Sequence, residues 1–448
     1  MKKTVFKTVI TLIAAAVIAL TVIFSGCFLF GTTDTKKWIL NTIKTNYYYY
    51  DEMDKDGLED LTIEEIVSRL DIYSEYYTPE ELQALIKDNS GEKAGIGFSY
   101  TFLKAGDSSL YPDGGCLLAL VVGNSPAEAS GLRTGYLLTG GSYNGRTASF
   151  DTEDALGNFV DPIPANVPFT LTAYTGKEVK DFTVSKKEYN ASYMFMATNS
   201  SAWTPAFTGD GKVEGLTEVA DRKIEYLPEG TAYISMSQFF GTAADEFGYL
   251  IRQFNADHCT SLILDLRDNG GGYVDVMQDM AGYFTSSLGD ETYVAMTARY
   301  RSGKVETYNC KSYETGSWLV PKDTTVYVLA NSGTASASEA LIGVLVSYGF
   351  LKYENIFLSD FSSEFLTWAD GVYGTKRSYG KGIMQTTFTN YFTGEALKLT
   401  TAQIYWPNGN CIHGVGVTEA DGCRTVQADW LVTSDDSELQ RIVEMIKG

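Results

Sequence analysis

From about residue 215 onward the chain alternates short apolar runs with helix patterns, and that order limits the fold more than any other feature. TAYISMS (231–237) reads as a strand, and LILDL (262–266) and TVYVLA (325–330) read as buried strands. Between and after them come the helix pattern AADEFGYLIRQFNA (243–256), a second beyond Ser336, and a last over 434–448, where Leu439, Ile442, Val443 and Ile446 share one face. Such alternation predicts an α/β layer with a mostly parallel sheet. Upstream the character differs. Residues 28–94 look helical, because Thr62…Glu65 and Thr78…Glu81 each place a Thr N-cap three residues before a Glu. Pro79 then falls at the first helical position, where its missing N–H costs nothing. Residues 95 to about 190 are β-rich runs (CLLALVV, YLLTGG, FTLTAY) separated by Gly, Asn and Asp turns. One helix interrupts them, opened by the capping box Ser125…Glu128 and closed by Gly131.

The 448 residues suffice for two or three domains with a real core. A formal charge of -21 repels phosphate backbones, so nucleic acid is not an expected partner. The N-terminus reads as a targeting segment: Lys2, Lys3 and Lys7 precede the uncharged run TVITLIAAAVIALTVIF, followed by Ser25-Gly26-Cys27. Small residues before a cysteine resemble a bacterial lipobox, with Cys27 lipidated, although Phe24 stands where Leu is usual. The alternative is an uncleaved anchor, since Thr8 to Phe30 is nearly long enough to span a bilayer. Both place the remainder outside the cytoplasm. Cys116, Cys259, Cys310, Cys411 and Cys423 are odd in number and form no C-x-x-C. Buried free thiols are the reading, with a Cys411–Cys423 bridge as the alternative and no metal site expected.

Three stretches carry chemistry. In NSGTASASEALIG (331–343) Ser336 stands where a strand turns into a helix. Ser336…Glu339 is itself a capping box, so Ser336 reads as a helix cap. The alternative reading is a nucleophile at a helix head, where free N–H groups and the dipole stabilise an oxyanion. In LILDLRDNGGGYVDVM (262–277) the glycines Gly270 to Gly272 form either a structural turn or a backbone cradle for an oxyanion. RSYGKGIMQ (377–385) fails as a Walker loop, because the glycine spacing is wrong and Gly382 stands where Ser or Thr must hold magnesium. Lys381 is then a solvated turn lysine or, if buried, a neutral amine able to act as general base, with Gln385 four residues on to orient it. The chain has two histidines, His258 and His413. Neither has an identifiable third group for a triad, so His258 reads as surface and His413 as a loop residue.

Together these stretches resemble, in order along the chain, the C-terminal processing (tail-specific) serine peptidases of family S41. RLDIYSEYYTPEEL (69–82) is similar to the family's N-terminal segment, and GIGFSY (95–100) with NSPAEASGLRTG (124–135) to its PDZ domain. LDLRDNGGG, TASASEA, GKGIMQ and LKLTTAQIYWPNGNCIHGVGV (397–417) resemble its core motifs. The resemblance implies a signal peptide over 1–27, a helical segment over 28–94, a PDZ domain over 95–190 and a crotonase-like (ClpP-like) α/β peptidase core over 191–448. It implies Ser336 as nucleophile, Lys381 as base, Gln385 as the residue orienting it, and the N–H groups of Gly271 and Ala337 as oxyanion hole. Gly95, Ile96, Gly97 and Phe98 would bind the C-terminal tail of a protein substrate. No cofactor or metal is needed, and a homodimer through the N-terminal helices is suggested. The implied place is the cell envelope, with membrane attachment through lipid on Cys27. Three departures stand out. Residues 351–371 look like an insertion that would let Lys352 or Lys376 compete with Lys381. NGGG replaces the commoner Asn-Pro-Gly-Gly, and Tyr136 stands where the PDZ motif has Asp. An inert PDZ scaffold and a ligand carrier are the rival readings of the same fold.

Overall fold

The computed structural model describes residues 34–106, 113–359, 376–427 and 437–447. The leader and Cys27 lie outside them. By contacts the chain divides into two compact units, residues 1–82 with 385–401, and residues 83–384 with 402–448.

The centre of the larger unit is five parallel strands lying side by side in chain order: β1 (Thr231–Met236), β2 (Ser261–Asp265), β3 (Thr325–Ala330), β4 (Ile356–Ser359) and β5 (Arg424–Val426). Three antiparallel strands, Met194–Ala197, Ala202–Phe207 and Val213–Glu218, extend the sheet beyond β1. Side chains alternate between faces, and both faces are apolar, which is why these strands read as unbroken hydrophobic runs. Ile234, Leu262, Leu264, Val326, Val328, Ile356 and Leu358 face one cluster with helices α1 (Ala243–Ala256), α2 (Val274–Thr285) and α3 (Ala337–Ser347). Tyr233, Ile263, Leu329 and Phe357 face the other, which Leu439, Ile442 and Val443 of α4 (Ser437–Lys447) cover. Each fully buried aliphatic or Phe side chain is worth about 1.5–3 kcal/mol. Helix α3 is buried almost all round, as its Ala/Leu/Ile/Val composition requires. Strand β4 falls inside the stretch expected to be an insertion. Residues 356–359 are a core strand, since Ile356, Phe357 and Leu358 alternate between the two apolar faces, and residues 360–375 lie outside the description.

The β-rich segment is a six-stranded antiparallel sheet within residues 98–184, around a core of Leu118, Leu138, Phe150, Phe169 and Leu171. Its neck is the antiparallel pair Glu92–Gly95 with Lys187–Asn190. It holds two short helices rather than one: the capped Pro126–Ser130, and Ala155–Val160, whose Asp154 makes no side-chain cap and so left no signature in the sequence. Just past the neck, the fully buried Glu246 carboxylate accepts from Ser192 Oγ, Tyr193 N–H, Met194 N–H and Thr242 Oγ1. Burial pushes Glu246 up to about 7, against those four donors.

The smaller unit is less uniformly helical than its capping boxes suggest. Helices Thr35–Asn46 and Ile63–Val67 are joined by turns, and the three-residue strand Glu75–Tyr77 pairs with Ala396–Lys398 of the strand Ala396–Tyr405. Trp38, Ile39, Ile43, Tyr47, Ile66, Leu397 and Leu399 form its core, with Tyr49 and Tyr50 packed against them.

Candidate active site

From Val328 to Leu345 every residue is buried except Ser336, which reaches solvent. Its backbone sits at φ 57, ψ -115, a left-handed conformation that costs a non-glycine residue about 1–3 kcal/mol. Such strain at a sharp strand-to-helix turn is what lifts a serine Oγ clear of a sheet. The turn is zipped to the loop that follows β2. Asn331 Oδ1 accepts from Asp268 N–H and Gly333 N–H, both at 2.9 Å, and Thr334 Oγ1 donates to Leu266 O at 2.7 Å. Ala335 N–H and Ser338 Oγ both donate to Asn269 O. Gly271 (φ 96) lies against the serine so closely that an added Cβ would stand 2.8 Å from Ser336 Cβ, Ala335 O and Ala337 N. Its N–H, however, donates to Asn269 Oδ1 at 3.0 Å. The Gly271 donor is thus engaged by Asn269, and Gly271 meets Ser336 through its missing side chain. Ala337 is the first residue of α3, where an N–H has no partner within the helix.

Lys381 approaches the same turn through a residue not singled out from sequence. Glu339 is 0% exposed, and its Oε2 accepts the N–H of Ser336 at 3.0 Å and that of Lys381 at 2.8 Å. Its Oε1 accepts Gly380 N–H at 2.8 Å and Ser378 Oγ at 2.6 Å. One carboxylate oxygen thus holds the backbones of both residues. Burial raises the Glu339 carboxyl above its ordinary range, and the four donors pull against that rise. The glycines flanking Lys381 are needed for close approach: a Cβ on Gly380 would stand 2.8 Å from Gly416 N, and one on Gly382 2.7 Å from His413 N. His413 is therefore a half-buried loop residue beside Gly382, and His258 is exposed. Lys352 and Lys376 are exposed, and Lys352 pairs with Glu354. Gln385 belongs to the smaller unit, where its Nε2 donates to Thr400 Oγ1 at 3.1 Å.

Two further features frame the site. Asp265 and Arg267 form a bidentate pair at the end of β2, and Arg267 also reaches Glu438 of α4 at 3.3 Å, fixing the C-terminal helix to the strand that leads into the glycine loop. Burial pushes neighbouring Asp268 up, while its bond from Asn331 opposes this. An open cleft of about 1410 Å³ runs from Val122, Glu128 and Arg133 past Arg222 to Asp268 and Asn331. In the β-rich segment, Gly95 and Gly97 have positive φ, and a Cβ on Gly97 would fall 2.2 Å from Ser125 Cβ. Ile96 is buried, and Phe98 opens the edge strand Phe98–Leu103, which pairs only with Gly115–Val121 among the described residues. Beside that strand, Tyr100, Phe102, Lys104 and Glu153 line a groove of about 380 Å³. The five described cysteines are all unpaired, four of them buried, so Cys411 and Cys423 do not bridge.

A reactive-looking serine raised on a strained turn of a mixed α/β sheet defines, with its relatives, a serine-type peptidase. Residues 230–353, which contain β1 to the end of α3, match the family described as "Peptidase family S41". That segment, which holds Ser336, is similar to the family's domain. The chain is 26% identical over 417 residues to the "Probable CtpA-like serine protease" of Staphylococcus aureus (strain N315), covering 91% of this chain and 69% of that one. Its fold is shared with a solved Bacteroides fragilis protein assigned to the S41 proteases, at TM-score 0.59 and 16% identity, over 92% of this chain and 97% of the other.

Proposed function

We propose that this peptidase works by a Ser–Lys mechanism on proteins whose C-terminal tails it captures. The observation that carries the reading is the shared Glu339 oxygen, which holds Ser336 and Lys381 by their backbones at one turn. Ser336 Oγ attacks a peptide carbonyl while the Lys381 amine takes its proton. The resulting ammonium returns that proton to the leaving amine, and water then hydrolyses the acyl-enzyme. A positioned base of this kind supplies about 10²–10⁴ in rate. Gln385 is kept as the orienting residue on the family resemblance alone. Ala337 N–H stabilises the oxyanion, joined by Gly271 N–H once it is released from Asn269. Gly271→Ala is expected to lower cleavage by at least about 10²-fold, because its Cβ would displace the serine turn; labelling of Ser336 by a fluorophosphonate probe measures this.

The core is read as crotonase-like and the β-rich segment as a PDZ domain. An edge strand beside the two positive-φ glycines is what β-augmentation by a peptide tail requires, with the N–H groups of Gly95 to Phe98 receiving the terminal carboxylate. The proposal extends to export, lipid attachment at Cys27, residence in the cell envelope and pairing through the N-terminal helices, on the strength of the leader and the family resemblance. Tail capture is tested by offering the full chain an unfolded protein with an apolar C-terminus, and the same protein amidated there. The amidated form should show a KM raised about tenfold or more, one lost charge-assisted bond being worth that much. Equal KM values would remove tail capture and leave the peptidase.

A further inference from the structure

The turn NYFTGE (390–395) takes no part in the mechanism, yet it carries the two most exposed large apolar side chains among the described residues, Tyr391 at 66% and Phe392 at 65%. It links the strand Ile383–Thr389 to the strand Ala396–Tyr405. The turn is braced from within. Asn390 is 0% exposed: its N–H donates to Glu395 O at 2.8 Å, its carbonyl accepts Gly394 N–H at 2.7 Å, and its Oδ1 accepts Phe392 N–H at 3.1 Å. A side-chain oxygen that takes the N–H two residues on makes an Asx-turn, which holds the two aromatic residues out at the tip. Glu395 then ties the turn to the start of the described chain. Its Oε2 accepts the hydroxyl of Thr35, the first residue of the helix Thr35–Asn46, and its Oε1 accepts Tyr76 Oη at 2.6 Å. All of these residues from 35 to 76 and from 390 to 395 belong to the smaller unit.

Single exposed apolar residues are ordinary on a protein surface, but two adjacent aromatic rings on a braced turn call for a cover. The place of the turn says which. Cys27 precedes Thr35 by eight positions, and Phe30, where the candidate anchor ends, by five. Even fully extended, those stretches span at most about 29 Å and about 18 Å. Lipid on Cys27 and an uncleaved anchor therefore both bring the membrane surface within reach of the end of the unit that holds Tyr391 and Phe392. We propose that Tyr391 and Phe392 form a membrane-contact tip, seated in the interfacial layer of a lipid bilayer beside the N-terminal anchor. The inference rests on the anchoring proposed above. An amphipathic tyrosine suits the headgroup level, and a phenylalanine the apolar layer just beneath it. The turn holds no Lys or Arg, and the chain carries a formal charge of -21, so the contact is apolar rather than electrostatic. A second attachment beside the first fixes how this unit stands on the membrane, where a lone tether would leave it free to swivel.

The test places a benzophenone photocrosslinker in the full chain at Phe392, and in a second protein at Ile72, a residue of the same unit that is 64% exposed. Ile72 follows Asp71, which takes the hydroxyl of Thr400, five positions beyond Glu395 and so about 17 Å along the strand. Each protein is reconstituted in phosphatidylcholine vesicles, floated to show that it is bound, and irradiated, and the adducts are counted by mass spectrometry. Position 392 is expected to give at least about fivefold more lipid adduct than position 72, the preference that partial burial of one aromatic ring supports. The yield should be the same in high salt, where an electrostatic contact would fade. Should thermal melting show that a labelled protein fails to fold, a lipid-borne diazirine on the unaltered chain, mapped to residues 390–394 and to Ile72, carries the same expectation. Lipid adduct at 392 no greater than at 72, or lost in high salt, overturns the proposal. So does a chain-to-chain adduct in its place, which would make the tip a contact between copies. A full chain that does not float with the vesicles overturns the anchoring reading itself, and the inference with it.

Discussion

Ser336→Ala is expected to reduce kcat/KM on an unfolded protein substrate by on the order of 10⁶, the loss seen when a serine peptidase is deprived of its nucleophile. At about 1.36 kcal/mol per factor of ten this is about 8 kcal/mol of transition-state stabilisation. Lys381→Ala should approach the same floor, and the double variant should be no worse than either single one, because nucleophile and base act as a unit. That non-additivity is the sharper test. Two losses that multiplied would mean that the residues work independently, and persistent cleavage by Ser336→Ala would mean another nucleophile. The strained backbone adds a stability readout. Glycine adopts φ 57 without penalty, so Ser336→Gly should be as inactive as Ser336→Ala but more stable by about 1 kcal/mol. Equal melting temperatures would mean that the turn stores no strain.

Much of the fold was readable because its physics is local or periodic. The helix expected over 243–256 spans Ala243–Ala256, and Leu439, Ile442 and Val443 face the core as their spacing requires. Parallel strands buried on both faces leave unbroken apolar runs, which is how LILDL and TVYVLA could be placed. What escaped depends on contacts between distant residues. The hydroxyl of Thr400 meets Asp71 across 329 positions, a pairing with no periodic signature. Ile356–Ser359 reads as insertion because four residues bounded by mixed polar and aromatic sequence carry too little pattern. The Gly271 N–H looked available because glycine loops expose backbone donors, and only the position of the Asn269 side chain shows where it goes. Glu339 is the instructive case. Its signal, Ser-x-x-Glu, reads as a capping box, and the Glu339-to-Ser336 half of such a box is present. The same carboxylate also collects three donors from residues 378–381, which no local motif announces.

Removing Glu339 is therefore expected to damage both stability and catalysis, and two substitutions separate the effects. Glu339→Ala strands three backbone N–H groups and the Ser378 hydroxyl around a side chain that is 0% exposed. Each orphaned donor costs about 1–3 kcal/mol, so the melting temperature should fall steeply even though an unfavourably buried carboxylate has been removed. What remains folded should be at least about 10²-fold less active, since the Ser336 and Lys381 backbones lose their common acceptor. Glu339→Gln keeps the shape and one accepting oxygen. That oxygen is best used between Ser336 and Lys381. Turned the other way, the amide would set its NH₂ against both of their N–H groups; this way round it faces only Gly380 N–H and Ser378, whose hydroxyl can rotate to accept. Ser378 Oγ already accepts Val417 N–H at 2.7 Å and has a second lone pair for that purpose. The glutamine variant should accordingly lose about 1–3 kcal/mol of stability, for the one N–H left unpaired, while keeping activity within roughly tenfold of the parent. A folded Glu339→Ala with parental kcat would show that the shared oxygen plays no part in placing the base. A glutamine variant as inactive as the alanine one would mean that the negative charge itself, rather than the acceptor geometry, is what the Ser336–Lys381 pair requires.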